Sequence, residues 1–187
     1  TDIETVSVTV VNVNEAPVIT TTAFGSIAEN QTAIGTLAAT DADSDTVSFS
    51  ITGGDDQGKF TLTGTTLAFN FSPNFESPAD TGTNNVYEVQ ITATDDGSGA
   101  LTDVETVSVT VVSVNEAPVI TTTAFGSIAE NQTAIGTLAA TDADSDTVSF
   151  SITGGDDQGK FTLTGTTLAF NFSPDFESPA DTGTNNV

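Results

Sequence analysis

A repeat of 101 residues, copied almost letter for letter, dominates this chain. Residues 1–86 return as 102–187 with three changes: Ile3 becomes Val104, Asn12 becomes Ser113 and Asn74 becomes Asp175. Such a period is too long for a solenoid unit and matches the length of one small all-β domain. The chain therefore reads as beads in a row. Residues 1–13 are the final strand of a preceding repeat, 14–114 a complete repeat, and 115–187 a truncated copy without its last two strands. More repeats are expected on both sides. An alternative is strand donation, in which residues 1–13 of one molecule complete the truncated repeat of an identical subunit.

Charge narrows the possible partners. There are 26 acidic residues against two basic ones, Lys59 and Lys160, for a net charge of -24. Nucleic acid and anionic lipid are excluded, since nothing basic could neutralise them. A hydrophobic fraction of 36% with 12 Phe is still enough for a core, so the acidic excess does not mean disorder. Cys, Met, Trp and His are absent. A small domain without disulfides needs another staple, and metal is the candidate. Zinc, haem and iron–sulfur sites of the usual kinds are excluded, as are His-dependent nucleophile systems. No apolar run reaches about 18 residues, so no membrane-inserting segment is expected here.

The elements read as strands. Seven are expected in the complete repeat: Val18–Ser26, Ala33–Thr40, Thr46–Thr52, Lys59–Thr63, Thr66–Phe71, Val86–Thr94 and Val104–Val112. Alternation places Val47, Phe49 and Ile51 on one face, then Leu67, Phe69 and Phe71, then Tyr87, Val89 and Ile91, then Val107, Val109 and Val111. The opposite face is mostly Thr, Ser, Glu and Gln. One wet and one dry face per strand predicts an antiparallel β-sandwich. Gly64-Thr65 suits a tight hairpin, and Ser72–Asn85 a long crossover loop. The linker is Asn12–Pro17, and again Ser113–Pro118, stiffened by its proline.

The acids gather at strand ends: Glu29, the run Asp41-Ala-Asp43-Ser-Asp45, Glu76, Asp95-Asp96-Gly97, and the linker pair Asn14-Glu15. Neighbouring carboxylates repel, and one Lys per repeat does not relieve them. A hard divalent cation would. Ca²⁺ takes about six to eight oxygens in loose geometry, and Asp-x-Asp spacing in a turn lets alternate side chains converge on one ion. Asp55-Asp56 and Asp80 read as solvated turns. Asp103 and Glu105 read as the wet face of the last strand.

These motifs, in this order, resemble those of cadherin repeats in their bacterial cadherin-like form. The matching pieces are Ile27-Ala-Glu29-Asn30, Ala39-Thr-Asp41-Ala-Asp43, Tyr87-Glu-Val-Gln-Ile-Thr-Ala-Thr-Asp95 and Val109-Thr-Val-Val-Ser-Val-Asn115-Glu116-Ala-Pro118. The resemblance implies tandem seven-stranded Greek-key sandwiches with Ca²⁺ bound between successive domains. It assigns Asn12, Asn14, Glu15, Asp41, Asp43 and Asp95 to a first junction. A second would draw on Glu29, Asn74 and Glu76, on Asn115 and Glu116, and on Asp142 and Asp144. Asp45 and Asp146 are possible extra ligands. Glu130, Asp175 and Glu177 repeat the set of Glu29, Asn74 and Glu76. Asn12 and Ser113 stand where the family usually has Asp, as does Asn74, so one or two ions per junction are expected.

The implied function is a Ca²⁺-stiffened extender in a long extracellular adhesin or filament, contacting neighbouring repeats of its own chain. A strand of nine residues gives ~30 Å, so each repeat with its linker adds about 40 Å of reach. The alternative is a binding module for a glycan or for a like domain. An enzyme is not expected.

Overall fold

The computed structural model describes residues 1–183, which form two compact units, Thr1–Val114 and the described residues from Asn115 on. The first unit holds nine strands: β1 (Val18–Ile19), β2 (Ala23–Ala28), β3 (Ala33–Thr36), β4 (Ala39–Thr40), β5 (Ser48–Gly53), β6 (Phe60–Thr63), β7 (Thr66–Phe69), β8 (Val86–Thr94) and β9 (Thr102–Val112). A four-stranded sheet has the order β2-β9-β8-β5, a three-stranded sheet the order β3-β7-β6, and β1 pairs with β4. The fold is the expected all-β sandwich. Taking β1 with β2 and β3 with β4 as broken single strands leaves seven.

Those breaks correct the sequence reading. The expected strand Val18–Ser26 stops at Ile19 and resumes at Ala23 in the other sheet. Val18 and Ile19 pair antiparallel with Thr40 and Ala39, whereas β2 runs parallel to β9. The sandwich is therefore not purely antiparallel. The cause is the run Thr20-Thr21-Thr22, which has no wet–dry alternation to hold it to one face. Its bend is fastened by Thr20 N–H donating to Ala38 O and Ala38 N–H donating to Thr21 Oγ1. Gly25, at φ 70°, then takes the irregularity between Ala23 and Ser26 that starts the parallel ladder. The expected strand Ala33–Thr40 breaks at Leu37, which is buried and donates its N–H to Thr65 O.

The dry faces fall where alternation puts them. Leu67, Phe69, Tyr87, Val89, Ile91, Val107, Val109 and Val111 are buried, and Val47, Phe49, Ile51 and Phe71 pack partly buried against them. Gly64, at φ 59°, turns β6 into β7, so Thr63 faces Thr66. Phe71 falls just past the end of β7 and lies under Lys59, whose ammonium stands 5.5 Å from the ring centroid.

Three acids read as solvent-facing do structural work. Asp56 and Asp80 are each only 4% exposed. Asp56 accepts from Thr81 N, Thr81 Oγ1 and Glu88 N, and Asp80 from the N–H groups of Asn84 and Asn85. They satisfy the backbone of the long 72–85 crossover, which has no ladder to do so. Asp103 is half-buried, and its Oδ2 accepts the Ile19 N–H at 2.8 Å, pinning β1 beside β9.

The second unit holds β10 (Val119–Ile120), β11 (Ala134–Thr137), β12 (Ala140–Thr141), β13 (Phe161–Thr164) and β14 (Thr167–Phe170). Its ladders repeat those of β1–β4 and β3-β7-β6 at equivalent residues. Residues 124–129 and 149–154 carry the sequences of β2 and β5 yet are not strands, and 1–13 nearly repeat 102–114 without joining a sheet. In the first unit their equivalents pair with β8 and β9. Among the described residues β8 has no second copy, and the copy of β9, at 1–11, lies in the first unit. The same letters are a strand or not according to the neighbour available.

Candidate metal centre

Three segments of the first unit converge beyond one end of the sandwich: residues 12–15 ahead of β1, loop 41–47 after β4, and loop 95–101 between β8 and β9. Asp41 folds its own loop. Its Oδ1 accepts the N–H groups of Asp43 at 2.9 Å and Asp45 at 3.1 Å, around Ser44 at φ 65°. Asp95, 4% exposed, folds the other loop, with Oδ1 accepting from Gly97 N and Leu101 N. Asp96 Oδ1 accepts the Thr46 N–H at 2.7 Å and joins the two loops.

The linker closes over them. Asp43 accepts from Glu15 N at 2.9 Å and from the Asn12 amide, and Asp95 Oδ2 accepts the Asn14 amide at 3.1 Å. Asp41, Asp43 and Asp45 each bring one oxygen within 4.8 Å of the others'. All seven residues expected at the first junction, Asp45 included, stand together here.

This arrangement is electrostatically incomplete. Hydrogen bonding to Asp43 and the charge of Asp43 raise the Glu15 carboxyl above its ordinary value. Asp45 is also raised, by desolvation first and then by the charges of Asp41, Asp96, Asp43 and Asp95. Asp43 is lowered, because the Glu15 N–H and the Asn12 amide favour its anion. Asp41 Oδ2 is buried and has no hydrogen-bond partner. The donors are carboxylate and amide oxygens, with no nitrogen or sulfur ligand in the sequence. An oxygen-only set with an orphaned buried carboxylate oxygen fits a hard cation such as Ca²⁺.

The register Ala28↔Val112 and Thr94↔Thr102 places Glu29 at the opposite end of the same sandwich. Glu29 is 1% exposed, with Oε1 accepting from Val114 N at 2.8 Å and Oε2 from Phe75 N at 3.0 Å. An oxygen of exposed Glu76 comes within 4.8 Å of one of Glu29. Asn74 caps its own turn through Ser77 N.

In the second unit, Glu116 N donates to Asp144 Oδ2 at 2.7 Å and Asp146 N to Asp142 Oδ1 at 3.0 Å, repeating the turn and linker contacts of the first. The Asn115 amide reaches the Glu116 carbonyl oxygen at 3.4 Å. Glu130, Asp175 and Glu177 form a further exposed cluster within that unit. The sequence reading did not assign Asp96 its joining role. The Asp-Asp-Gly triplet was its signal, since one of two adjacent acids in a turn is free to cap a neighbouring loop.

The sandwich is similar in fold to cadherin extracellular domains of known structure. The chain is similar to human CDH23 EC21-23, at 21% identity and a TM-score of 0.55, over 86% of this chain and 56% of that one. Human Protocadherin-24 EC1-2 matches at 20% identity and a TM-score of 0.58, over 86% of this chain and 81% of that one. Drosophila N-cadherin EC1-4 matches at 20% identity and a TM-score of 0.53, over 86% and 41%. At these identities the likeness is one of fold. No family model and no curated protein sequence matches the chain. Among the described residues, no helix is long and apolar enough to cross a membrane.

The shifted carboxyls set a pH dependence. A raised carboxyl takes up protons more readily in the folded protein, so its repulsion costs stability at high pH and is relieved as pH falls through its folded value. Without Ca²⁺, the melting temperature is expected to rise slightly as pH falls from neutral toward the ordinary carboxylate range, because Glu15 and Asp45 take up protons earlier in the folded chain. Asp43 acts oppositely, but at lower pH. If these carboxylates take up Ca²⁺, the trend should reverse in its presence, because the ion must displace those protons. Thermal melts across that range, with and without Ca²⁺, check this; parallel trends would contradict it.

Proposed function

We propose that this chain is a Ca²⁺-rigidified structural extender of a long extracellular adhesin or filament. Asp41, Asp43, Asp45, Asp95, Asn14 and Glu15 would hold the ion at the linker-proximal end of a repeat. Glu29, Asn74 and Glu76 would offer ligands at the other end of the first unit, and Asn115, Glu116, Asp142 and Asp144 would form the linker-proximal set of the second. The ion supplies the positive charge that the chain lacks. With it, linker and loops are held by shared ligands; without it, like charges meet at a joint with free torsions. The observation that supports this most directly is the buried, unpartnered Asp41 Oδ2 beneath a linker that already folds onto the acid loops. The near-identity of the repeats fits a role in which length is the product.

Small-angle scattering and thermal melts with Ca²⁺ and with EDTA test the reading. At 100-fold excess over its dissociation constant, one bound ion adds about 2.7 kcal/mol, or roughly 10–20 °C in melting temperature for a domain of this size. Chelation is expected to lower the midpoint by that order and to shorten the maximum dimension of the particle. A maximum dimension unchanged by chelation would reject the stiffening role.

A further inference from the structure

Gly97 is the third residue of the loop after β8, and its φ lies outside the left-handed region, so its glycine is not required by φ. Its glycine is nevertheless demanded by space. A Cβ at this position would strike Asn14 Oδ1 and Asp45 Oδ2 well inside van der Waals contact, with Asn14 Cγ at 2.6 Å. The two oxygens come from different segments, one from the linker and one from the 41–47 loop. Both border the volume that a side chain would fill. Asn14 is held there by its amide on Asp95 Oδ2, and Gly97 by its N–H on Asp95 Oδ1. Asp95 thus fixes both sides of the gap.

We infer that Gly97 is a positioning residue whose missing side chain lets the linker Asn14 and the loop Asp45 share one cation, coupling linker to repeat. This rests on the Ca²⁺ reading above and adds to it. Asp41, Asp43 and Asp45 already converge within their own loop; Gly97 decides whether the linker Asn14 can join them beside Asp45. Asn14 and Asp45 are side-chain ends that can swing aside. The collision in Gly97→Ala would therefore be relieved by moving these oxygens apart, not by unfolding the sheet. Alanine also reduces the freedom of the unfolded chain, so ion-free stability is expected to hold.

The test is calorimetric titration of the whole chain with Ca²⁺ after chelator removal, together with ion-free melts. Gly97→Ala is expected to weaken one binding component by about tenfold or more, with the ion-free midpoint unchanged. Gly58→Ala, where a Cβ meets nothing within 4 Å, should titrate as the unaltered chain does. In an Asn14→Ala/Asp45→Ala background, Gly97→Ala should cause no further loss, as coupled sites require. Unchanged affinity in Gly97→Ala would overturn the inference, as would the same loss in both backgrounds or a large fall in the ion-free midpoint. An unaltered chain that takes up no Ca²⁺ would instead reject the underlying reading, visibly and in the first titration.

Discussion

Asp41→Asn is expected to abolish tight Ca²⁺ binding at the linker-proximal site while leaving the ion-free fold intact. The two oxygens of Asp41 have separate tasks. Oδ1 accepts the N–H groups of Asp43 and Asp45 and so shapes the turn. Oδ2 is buried and unpartnered. An asparagine oxygen can take over the first task. Its NH₂ would then occupy the position of the second, presenting hydrogens where a cation needs a lone pair. Ligand charge spreads Ca²⁺ sites over many decades of affinity, so a loss of about 100-fold, or ~2.7 kcal/mol, is the expected scale.

Removing one negative charge also relieves Asp45, which Asp41 helps to raise. The ion-free melting temperature of Asp41→Asn should therefore match or slightly exceed that of the unaltered chain. Asp41→Ala separates the two tasks. It loses the ion as well, and it frees two turn N–H groups, at a cost of about 1 kcal/mol in the ion-free state. Titration calorimetry and ion-free melts distinguish the three proteins. An Asp41→Asn chain that keeps full affinity would show that the orphaned oxygen is not a ligand.

How much of this could be read from the letters depended on whether a feature is local. Tyr87, Val89 and Ile91 alternate with Glu88 and Gln90, so their burial followed from spacing alone. Asp41-Ala-Asp43 is a turn that folds on itself, so its convergence was equally plain. The parallel pairing of β2 with β9 was not, because it joins residues more than eighty apart and depends on a bend in three threonines without pattern. Asp56 and Asp80 were misread for a related reason. Each looks like a turn acid, and what buries it is the 72–85 crossover, whose N–H groups find acceptors only once the sheets are assembled. Gly97 was visible as a glycine after two acids. Its purpose was not, since the atoms that crowd it arrive from positions 14 and 45.

Tyr87→Ala should be the most damaging single change to the first unit. The ring is fully buried, with its centroid 5.0 Å from that of Phe69 and 5.9 Å from that of Phe71. Burial raises the phenol above its ordinary value, and the hydroxyl oxygen accepts the Ala79 N–H at 3.1 Å. One side chain thus fills the middle of the core and fastens the crossover loop. Truncating a buried aromatic costs about 3–5 kcal/mol, against a total of about 5–15 kcal/mol for a domain. A fall of roughly 15–30 °C in melting temperature follows for a unit of this size. Tyr87→Phe keeps the ring packing and leaves Ala79 N–H without its acceptor, which costs about 1–2 kcal/mol. Tyr87 is the sole tyrosine and the chain has no tryptophan, so both melts must be followed by circular dichroism. A Tyr87→Ala midpoint within a few degrees of the Tyr87→Phe midpoint would mean that the core closes over the lost ring, and that the hydroxyl, not the aromatic cluster, is what joins the loop to the sandwich.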